Sequence, residues 1–425
     1  MKIKTIEDFD VKDKLVLLRI DINSPIIKNK VLDNPRFKEA SDTIKYLLEN
    51  KAKVIILAHQ GRKNEKDYLE SLAQHAEILS KYVGKTIKYE NALFEDKALE
   101  AIDKLEMGEA LLMKNVRAYD DETIIENSRF YSFSALFDLY VNDAFSVSHR
   151  SQGSIVIPPQ IIESCIGLGF EKELNALEHL NLEKIKDKKA VYLIGGEKVA
   201  DYLPIFNVLK NKNAKILASG VLANLFLIAN GKDLGYENLW TREKGYDKLI
   251  PALKKIFNNH KEQVLLPIDF AVGDKNIEKA RRKEILISDF PVEEKIWDVG
   301  YKTTEFYIYK IQKSDIIFMK GPLGYSEIED FSYSTVEILN LISKLAKAKK
   351  VFSLLGGGHL TTTIEKYKIP NHFTHISTSG GALIAFISGE TLPGIEAIEK
   401  GIKNNKCPLS KVFLIKKCFL KFMNL

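Results

Sequence analysis

Residues 15–23 read Leu-Val-Leu-Leu-Arg-Ile-Asp-Ile-Asn, an aliphatic run that passes directly into an arginine, an aspartate and an asparagine. A short apolar run bounded by polar residues predicts a buried strand, and it leaves the charged groups at the strand's carboxyl end. The same pattern recurs three times. Residues 54–58 lead into His59-Gln-Gly-Arg62, residues 110–114 into Asn115-Val-Arg117, and residues 139–142 into Asp143-Ala-Phe145 with His149-Arg150 close behind. Amphipathic stretches lie between the runs, and their spacing predicts helices such as 37–49 and 69–82. Strand alternating with helix predicts βαβ units and a parallel sheet.

The second half repeats the pattern, with strands expected at 190–194, 215–218, 264–268, 316–319, 351–355 and 375–377. The fold class is therefore α/β, with two Rossmann-like parallel-sheet domains. Between them, 171–189 carries Glu, Lys, Asn and Leu at helical spacing, which predicts a helical hinge. A chain of 425 residues agrees with two large domains.

Composition excludes several classes. With 45% apolar and 28% charged residues, disorder and collagen-like repeats are ruled out. No apolar stretch is long enough for a membrane span, Met1 to Asp10 lack the pattern of a signal peptide, and Cys165, Cys407 and Cys418 are too few and too scattered for a disulfide scaffold or a zinc site. A cytoplasmic protein is expected. The net charge of +6 is small and interspersed, but the 63 basic residues comprise 54 Lys and only nine Arg. Six of those Arg (19, 36, 62, 117, 129 and 150) fall in the first 150 residues, where planar forks suit carboxylate and phosphate.

Ligands of open parallel sheets bind beyond the carboxyl ends of the strands. In the first half those ends carry Arg and His, any one of which has a structural explanation, such as Arg19 pairing with an acid. Together they favour a small phosphorylated or carboxylated substrate, because clustered cations repel one another unless an anion compensates them. In the second half the ends carry glycine: Gly195-Gly196, Gly220, Gly321 with Gly324, Gly356 to Gly358, and Gly380-Gly381. Glycine allows backbone N–H groups close to phosphate at helix N-termini, which suggests a polyphosphate, although tight turns and close packing explain any single loop equally well. Neither GxxxxGK[ST] nor GxGxxG occurs, so neither a P-loop NTPase nor a standard dinucleotide fold is supported.

Taken in order, these motifs resemble the phosphoglycerate kinase family from about residue 3 to residue 400. Arg19-Ile-Asp21-Ile-Asn23, His59-Gln-Gly-Arg62, Asn115-Val-Arg117, Asn142-Asp-Ala-Phe145, His149-Arg150, Gly195-Gly-Glu-Lys198-Val-Ala-Asp201, Leu266-Pro-Ile-Asp269, Gly321-Pro-Leu-Gly324, Gly356 to Gly358 and Ser377-Thr-Ser-Gly-Gly381 stand in the family's sequence order. The resemblance implies phosphoryl transfer between ATP and the carboxyl of 3-phosphoglycerate, giving ADP and 1,3-bisphosphoglycerate, with Mg2+ as the metal. It implies Asp21, Asn23, Arg36, His59, Arg62, Arg117 and Arg150 as phosphoglycerate-binding residues. Gly196, Lys198, Gly220, Gly324, Glu327, Gly356, Gly357, Gly358, His359, Gly380 and Gly381 are implied on the nucleotide side, with Arg36 and Lys198 neutralising the transferring phosphoryl.

The implied domains are 1–172 for phosphoglycerate, 173–189 as the linker helix, 190–390 for nucleotide, and 391–425 returning to the N-terminal domain. A monomer is expected, without nucleic-acid or membrane partners, and the basic apolar tail 407–425 is expected to pack on the body. Several positions depart from the common pattern. His359 stands where many members have a metal-binding Asp, Lys320 where they have Asn, Tyr202 where they have a second Lys, and Gln152 where many have His. Gln60 and the Arg150-Ser-Gln152 variant resemble the archaeal branch. A non-catalytic nucleotide-binding protein on the same fold is the alternative.

Overall fold

In the computed structural model, which describes residues 3–180 and 184–401, the opening run forms strand β1 (Leu15–Ile20). Side chains alternate across a strand, so Val16, Leu18 and Ile20 enter one core with Phe37, Ile44 and Leu47 of helix α1 (Pro35–Glu49), while Leu17 enters another with Leu111, Phe133 and Phe137. Five more strands complete an all-parallel sheet: β2 (Lys53–Leu57), β3 (Ile87–Glu90), β4 (Ala110–Met113), β5 (Leu139–Asp143) and β6 (Ser164–Ile166). Their order is β3-β4-β2-β1-β5-β6. Strand order reverses at β1, so the segments after β1, β2 and β5 share one crevice. Arg19 lies in register with Leu57 on one side and Asn142 on the other.

The second parallel sheet contains β7 (Ala190–Ile194), β8 (Ala214–Ala218) and β9 (Val264–Leu265). The sequence-predicted strand 264–268 stops short at β9, because Pro267 has no N–H with which to continue the ladder. The chain then enters an antiparallel sheet that the sequence did not reveal, made of β10 (Asp269–Gly273), β11 (Lys283–Leu286) and β12 (Lys295–Val299) in the order β11-β10-β12. Residues 283–286 and 295–299 mix charged with apolar residues, which suits half-solvated antiparallel strands and hides them from a search for buried runs. Strands β13 (Ile316–Lys320), β14 (Phe352–Gly356) and β15 (His375–Ser377) then complete the parallel sheet as β9-β8-β7-β13-β14-β15.

By internal packing the chain divides into two units, one reaching Asn175 and resuming at Thr391, the other Ala176–Glu390. The predicted helix over 171–189 is helix α2 (Leu168–Glu178), and 184–187 are turns, so the regular segment is shorter than the Lys- and Glu-rich pattern suggested. The helix predicted at 69–82 runs Ala73–Val83. After Thr391, helix α3 (Pro393–Lys400) packs on the short helices Gly153–Val156 and Pro158–Ile161, and Gly394 N–H donates to Ser148 O at 2.9 Å. The tail 407–425 lies outside the described residues.

Asp143 holds the start of α2 against the end of β5. Its Oδ1 accepts the Phe170 N–H at 2.8 Å, and a Cβ on Gly167 would stand 2.6 Å from the carboxylate, so only glycine permits the approach. Burial pushes the Asp143 carboxyl from an ordinary 3.8 up to about 7, against opposing hydrogen bonds from Thr43, Phe170 and Gly169. A carboxyl whose folded pKa is raised contributes stability below its unfolded pKa and loses it as pH rises through the folded value. Asp143→Asn removes the titration and keeps an acceptor. The melting temperature of the variant relative to wild type is therefore expected to climb between about pH 4 and pH 8. An equal difference at both ends of that range would refute the assignment.

Candidate active site

The side chains beyond β1, β2 and β5 form one bonded network. Arg19, fully buried, donates from Nε to Ser154 Oγ at 2.9 Å and from Nη2 to His59 Nδ1 at 3.2 Å, bonds the Ile20 carbonyl through Nη1, and lies 3.8 Å from the buried carboxylate of Glu122. Glu122 in turn accepts from the Ser154 N–H and hydroxyl, each at 3.0 Å. Arg19 therefore pairs with an acid, and the partner comes from the turn Asp120–Glu122, where nothing in the sequence marked it.

Asp21 lies one strand step further out. Its carboxylate accepts the Asn23 N–H at 3.0 Å, pairs with Arg36 Nη1 at 2.9 Å, bonds the Ser146 hydroxyl and stands 4.0 Å from His59 Nε2. Burial alone would raise the Asp21 carboxyl, but Arg36 and the bonds from Ser146 and Asn23 outweigh it and hold the group well below the usual range. Arg36 is placed by α1, whose Asn34 cap accepts the Arg36 N–H at 3.0 Å. Asn23 Oδ1 accepts the Gly61 N–H at 2.7 Å, and Arg117 Nη1 donates to Gly61 O at 2.6 Å, tying the turn after β2 into the same crevice.

Burial, followed by the charges of Arg19 and Arg150, pushes Arg117 down to about 10. For His59, burial acts first and Arg117, Arg19 and Arg36 add to it against Asp21, so its pKa falls well below 6.5. The crevice thus holds fewer positive charges than the ring of Arg and His in the sequence suggested.

The structure brings together Asp21, Asn23, Arg36, His59 and Arg117, and Arg150 is near enough to act on Arg117 and bonds His149 from Nε at 3.1 Å. Arg62 is exposed and paired with Glu65 at 3.3 Å. Arg129 has a separate use, bonding Asp121 at 2.6 and 3.1 Å and stacking over Phe94 at 4.5 Å.

In the second unit, main chain dominates. Gly195 N–H donates to Lys320 O at 2.8 Å, Gly196 N–H to Pro322 O at 3.0 Å, and Gly220 N–H to Leu323 O at 3.1 Å, so the loops after β7, β8 and β13 lock together. At Gly220, with φ at +53°, an added Cβ would sit 2.8 Å from Gly196 N. Gly324 is required for packing, because a Cβ there would meet the Asp298 carboxylate at 2.3 Å. Gly357, Gly358, Gly380 and Gly381 stand at the starts of the helices Gly358–Lys366 and Gly381–Ile387, and space is open above Gly358 and Gly380. Close packing therefore accounts for Gly220 and Gly324, and no such contact accounts for Gly358 or Gly380.

Gly356 lies beneath the Lys320 side chain, whose Nζ would be 3.4 Å from an added Cβ. The Glu327 carboxylate lies 3.0 Å from His359 Nδ1, and the Glu327 carbonyl accepts from Lys366 Nζ at 2.5 Å. Lys198 is exposed at the start of the 3-10 run Val199–Lys210.

Comparison with known proteins supplies the family. The phosphoglycerate kinase family model matches residues 6–390. The chain belongs to the phosphoglycerate kinase family. A phosphoglycerate kinase of Methanothermus fervidus is 37% identical over 416 residues, 95% of this chain and 98% of its own length. One of Thermococcus sibiricus is 39% identical, covering 94% and 98%. The crystal structure of phosphoglycerate kinase from Pyrococcus horikoshii superposes with a TM-score of 0.83 at 35% identity, covering 93% of this chain and 98% of that one. The structure of the enzyme from Coxiella burnetii reaches 0.77 at 28% identity, covering 94% and 99%. The matched residues include every strand of both parallel sheets.

Glu122 is the test of the buried network. Glu122→Ala leaves the Arg19 guanidinium buried without its counter-charge, and is expected to cost about 3 to 5 kcal/mol in a urea titration. A loss below about 1 kcal/mol, the scale of an exposed pair, would show that Arg19 is compensated elsewhere.

Proposed function

We propose that the chain catalyses reversible phosphoryl transfer between ATP and the carboxyl group of 3-phosphoglycerate, giving ADP and 1,3-bisphosphoglycerate, a step of glycolysis and gluconeogenesis. The observation that carries this reading is the Arg36–Asp21 pair at 2.9 Å, set with Asn23, His59 and Arg117 at the carboxyl ends of one parallel sheet. A triose phosphate acid presents a carboxylate and a phosphate, and bidentate guanidinium groups suit both. In this reading Arg62, Arg117 and Arg150 hold the phosphate that is not transferred, Asp21 and Asn23 orient the acid, and Arg36 meets the phosphoryl in transit.

Nucleotide phosphates would lie at the open helix starts near Gly358 and Gly380, where N–H groups and the helix dipole favour an anion. Gly196, Gly220, Gly324, Gly356, Gly357 and Gly381 shape those loops, and Glu327 is assigned to the ribose. Transfer needs the two anions in line and water excluded, so a closing movement about the segment between the units is part of the proposal, with Lys198 adding charge from the nucleotide side.

Magnesium fits this donor set as an ion carried chiefly by nucleotide phosphate oxygens. The Glu327 carboxylate is bonded to His359, and imidazole suits magnesium poorly. When bound, the ion neutralises phosphate charge. A monomer is the working unit in this reading, which sedimentation velocity tests directly.

Arg36→Ala should lower kcat by roughly a thousandfold or more in an assay coupled to ADP release, since a guanidinium facing a transferring phosphoryl acts where charge builds up. An unchanged kcat with a raised KM would reduce Arg36 to a substrate-positioning group. His359→Ala is expected to leave the preference among magnesium, manganese and cobalt unaltered. A preference that moves with this substitution would identify His359 as a ligand.

A further inference from the structure

Arg19 and His59 meet where neither can be solvated, at 0% and 4% exposure. Arg19 Nη2 lies 3.2 Å from His59 Nδ1. A guanidinium has N–H donors and no acceptor, so Nδ1 must present its lone pair, and the proton of a neutral ring then sits on Nε2. Arg19 cannot readily turn away. Ser154 Oγ holds its Nε, the Ile20 carbonyl holds Nη1, and Glu122 lies 3.8 Å from Nη2. Ser154 is itself fixed, by Glu122 through two bonds and by the Tyr140 hydroxyl donating to its carbonyl at 2.8 Å.

Protonating Nδ1 would set N–H against N–H and place a second cation beside Arg19. The other charges acting on the ring are Arg36 from α1, Arg117 from the turn Val116–Ala118, and Asp21 beyond β1, which is 4.0 Å from Nε2. Asp21 is the one acid among them. Its Oδ2 bonds Arg36 and Ser146, and its Oδ1, the oxygen facing Nε2, accepts the Asn23 N–H.

We propose that Arg19 is a positioning residue that fixes His59 as the neutral Nε2–H tautomer, so that His59 offers an anionic substrate one directed hydrogen bond and no charge. The substrate half of this proposal rests on the phosphoglycerate reading of the crevice. The tautomer half stands on the bonding geometry alone. Burial together with Arg117, Arg19 and Arg36 acts in the same sense, since all of them disfavour an imidazolium.

The tautomer is read by two-bond 15N–1H correlation of the histidine rings in the wild-type chain, with His59 assigned by the signals missing in His59→Gln. Between about pH 5.5 and 8, where an ordinary histidine titrates, His59 is expected to keep the Nε2–H pattern without change. An Nδ1–H pattern, or titration in that window, overturns the proposal. Arg19→Met combined with Glu122→Leu removes both charges together. His59 is then expected to show mixed tautomers and to titrate. A variant that only melts earlier, with the His59 pattern unaltered, would mean that Arg19 is structural and would also overturn it.

For the substrate half, His59→Gln keeps a neutral N–H donor and His59→Lys supplies a charge. The KM for 3-phosphoglycerate should rise at least about tenfold more in the Lys variant, the scale of one hydrogen bond to a charged group. A Lys variant as good as or better than Gln shows that His59 acts as a cation. Absence of any kinase activity in the wild type would sink the phosphoglycerate reading and leave the NMR result standing, so the two failures are separable.

Discussion

A guanidinium sealed from water at the end of the central strand organises the first unit. Arg19 stands where β1 meets β2 and β5, and a charge at that depth persists only with a counter-charge and hydrogen-bond acceptors around it. Ser154, the Ile20 carbonyl and His59 Nδ1 accept from it, and Glu122 at 3.8 Å supplies the opposite charge. Satisfying Arg19 fixes the turn at 120–122, the start of the helix Gly153–Val156 and the His59 ring at once. The crevice therefore has its geometry before any anion arrives, which is what pre-organised recognition of a small acid requires.

The two units carry different groups at the carboxyl ends of their strands. The first uses side-chain charge, part of which Asp21 and Glu122 neutralise internally, so that the field offered to a ligand is moderate and directed. The second uses backbone. Its loops interlock through Gly195, Gly196, Gly220 and Gly321, positions where a Cβ would collide with a neighbouring main chain or strain a positive φ, and the helix starts at Gly358 and Gly380 stay open. Lys320, at the end of β13, runs across Gly356 and is buried. The proposed reading rests on this division, with a compact acid on the first half and a polyphosphate on the second.

Much of this was legible early, and the reasons for the rest are physical. The parallel strands showed because burial on both faces demands continuous Val, Ile and Leu, as in β1, β2 and β7. Strands β11 and β12 escaped because antiparallel strands with a wet face tolerate Lys, Glu and Asp. Asp21 and His59 were marked by their place after apolar runs, and Arg36 by the scarcity of arginine and the family resemblance. Glu122, Ser146 and Ser154 were not, since each joins the site through a turn or short helix whose position depends on how distant segments pack.

By itself the sequence determined the α/β class, the alternation that builds two parallel sheets, and the motif order that marks the family, because these depend on local apolar periodicity and on residue types at strand ends. Tertiary structure decided which charges remain available. Only packing brought Glu122 to Arg19, set Asp21 between Arg36 and Ser146, bonded His359 to Glu327 and turned Arg129 away toward Asp121 and Phe94. The protonation of a histidine or the worth of an arginine depends on partners a few ångströms away and on the water excluded around them, and sequence separation carries neither.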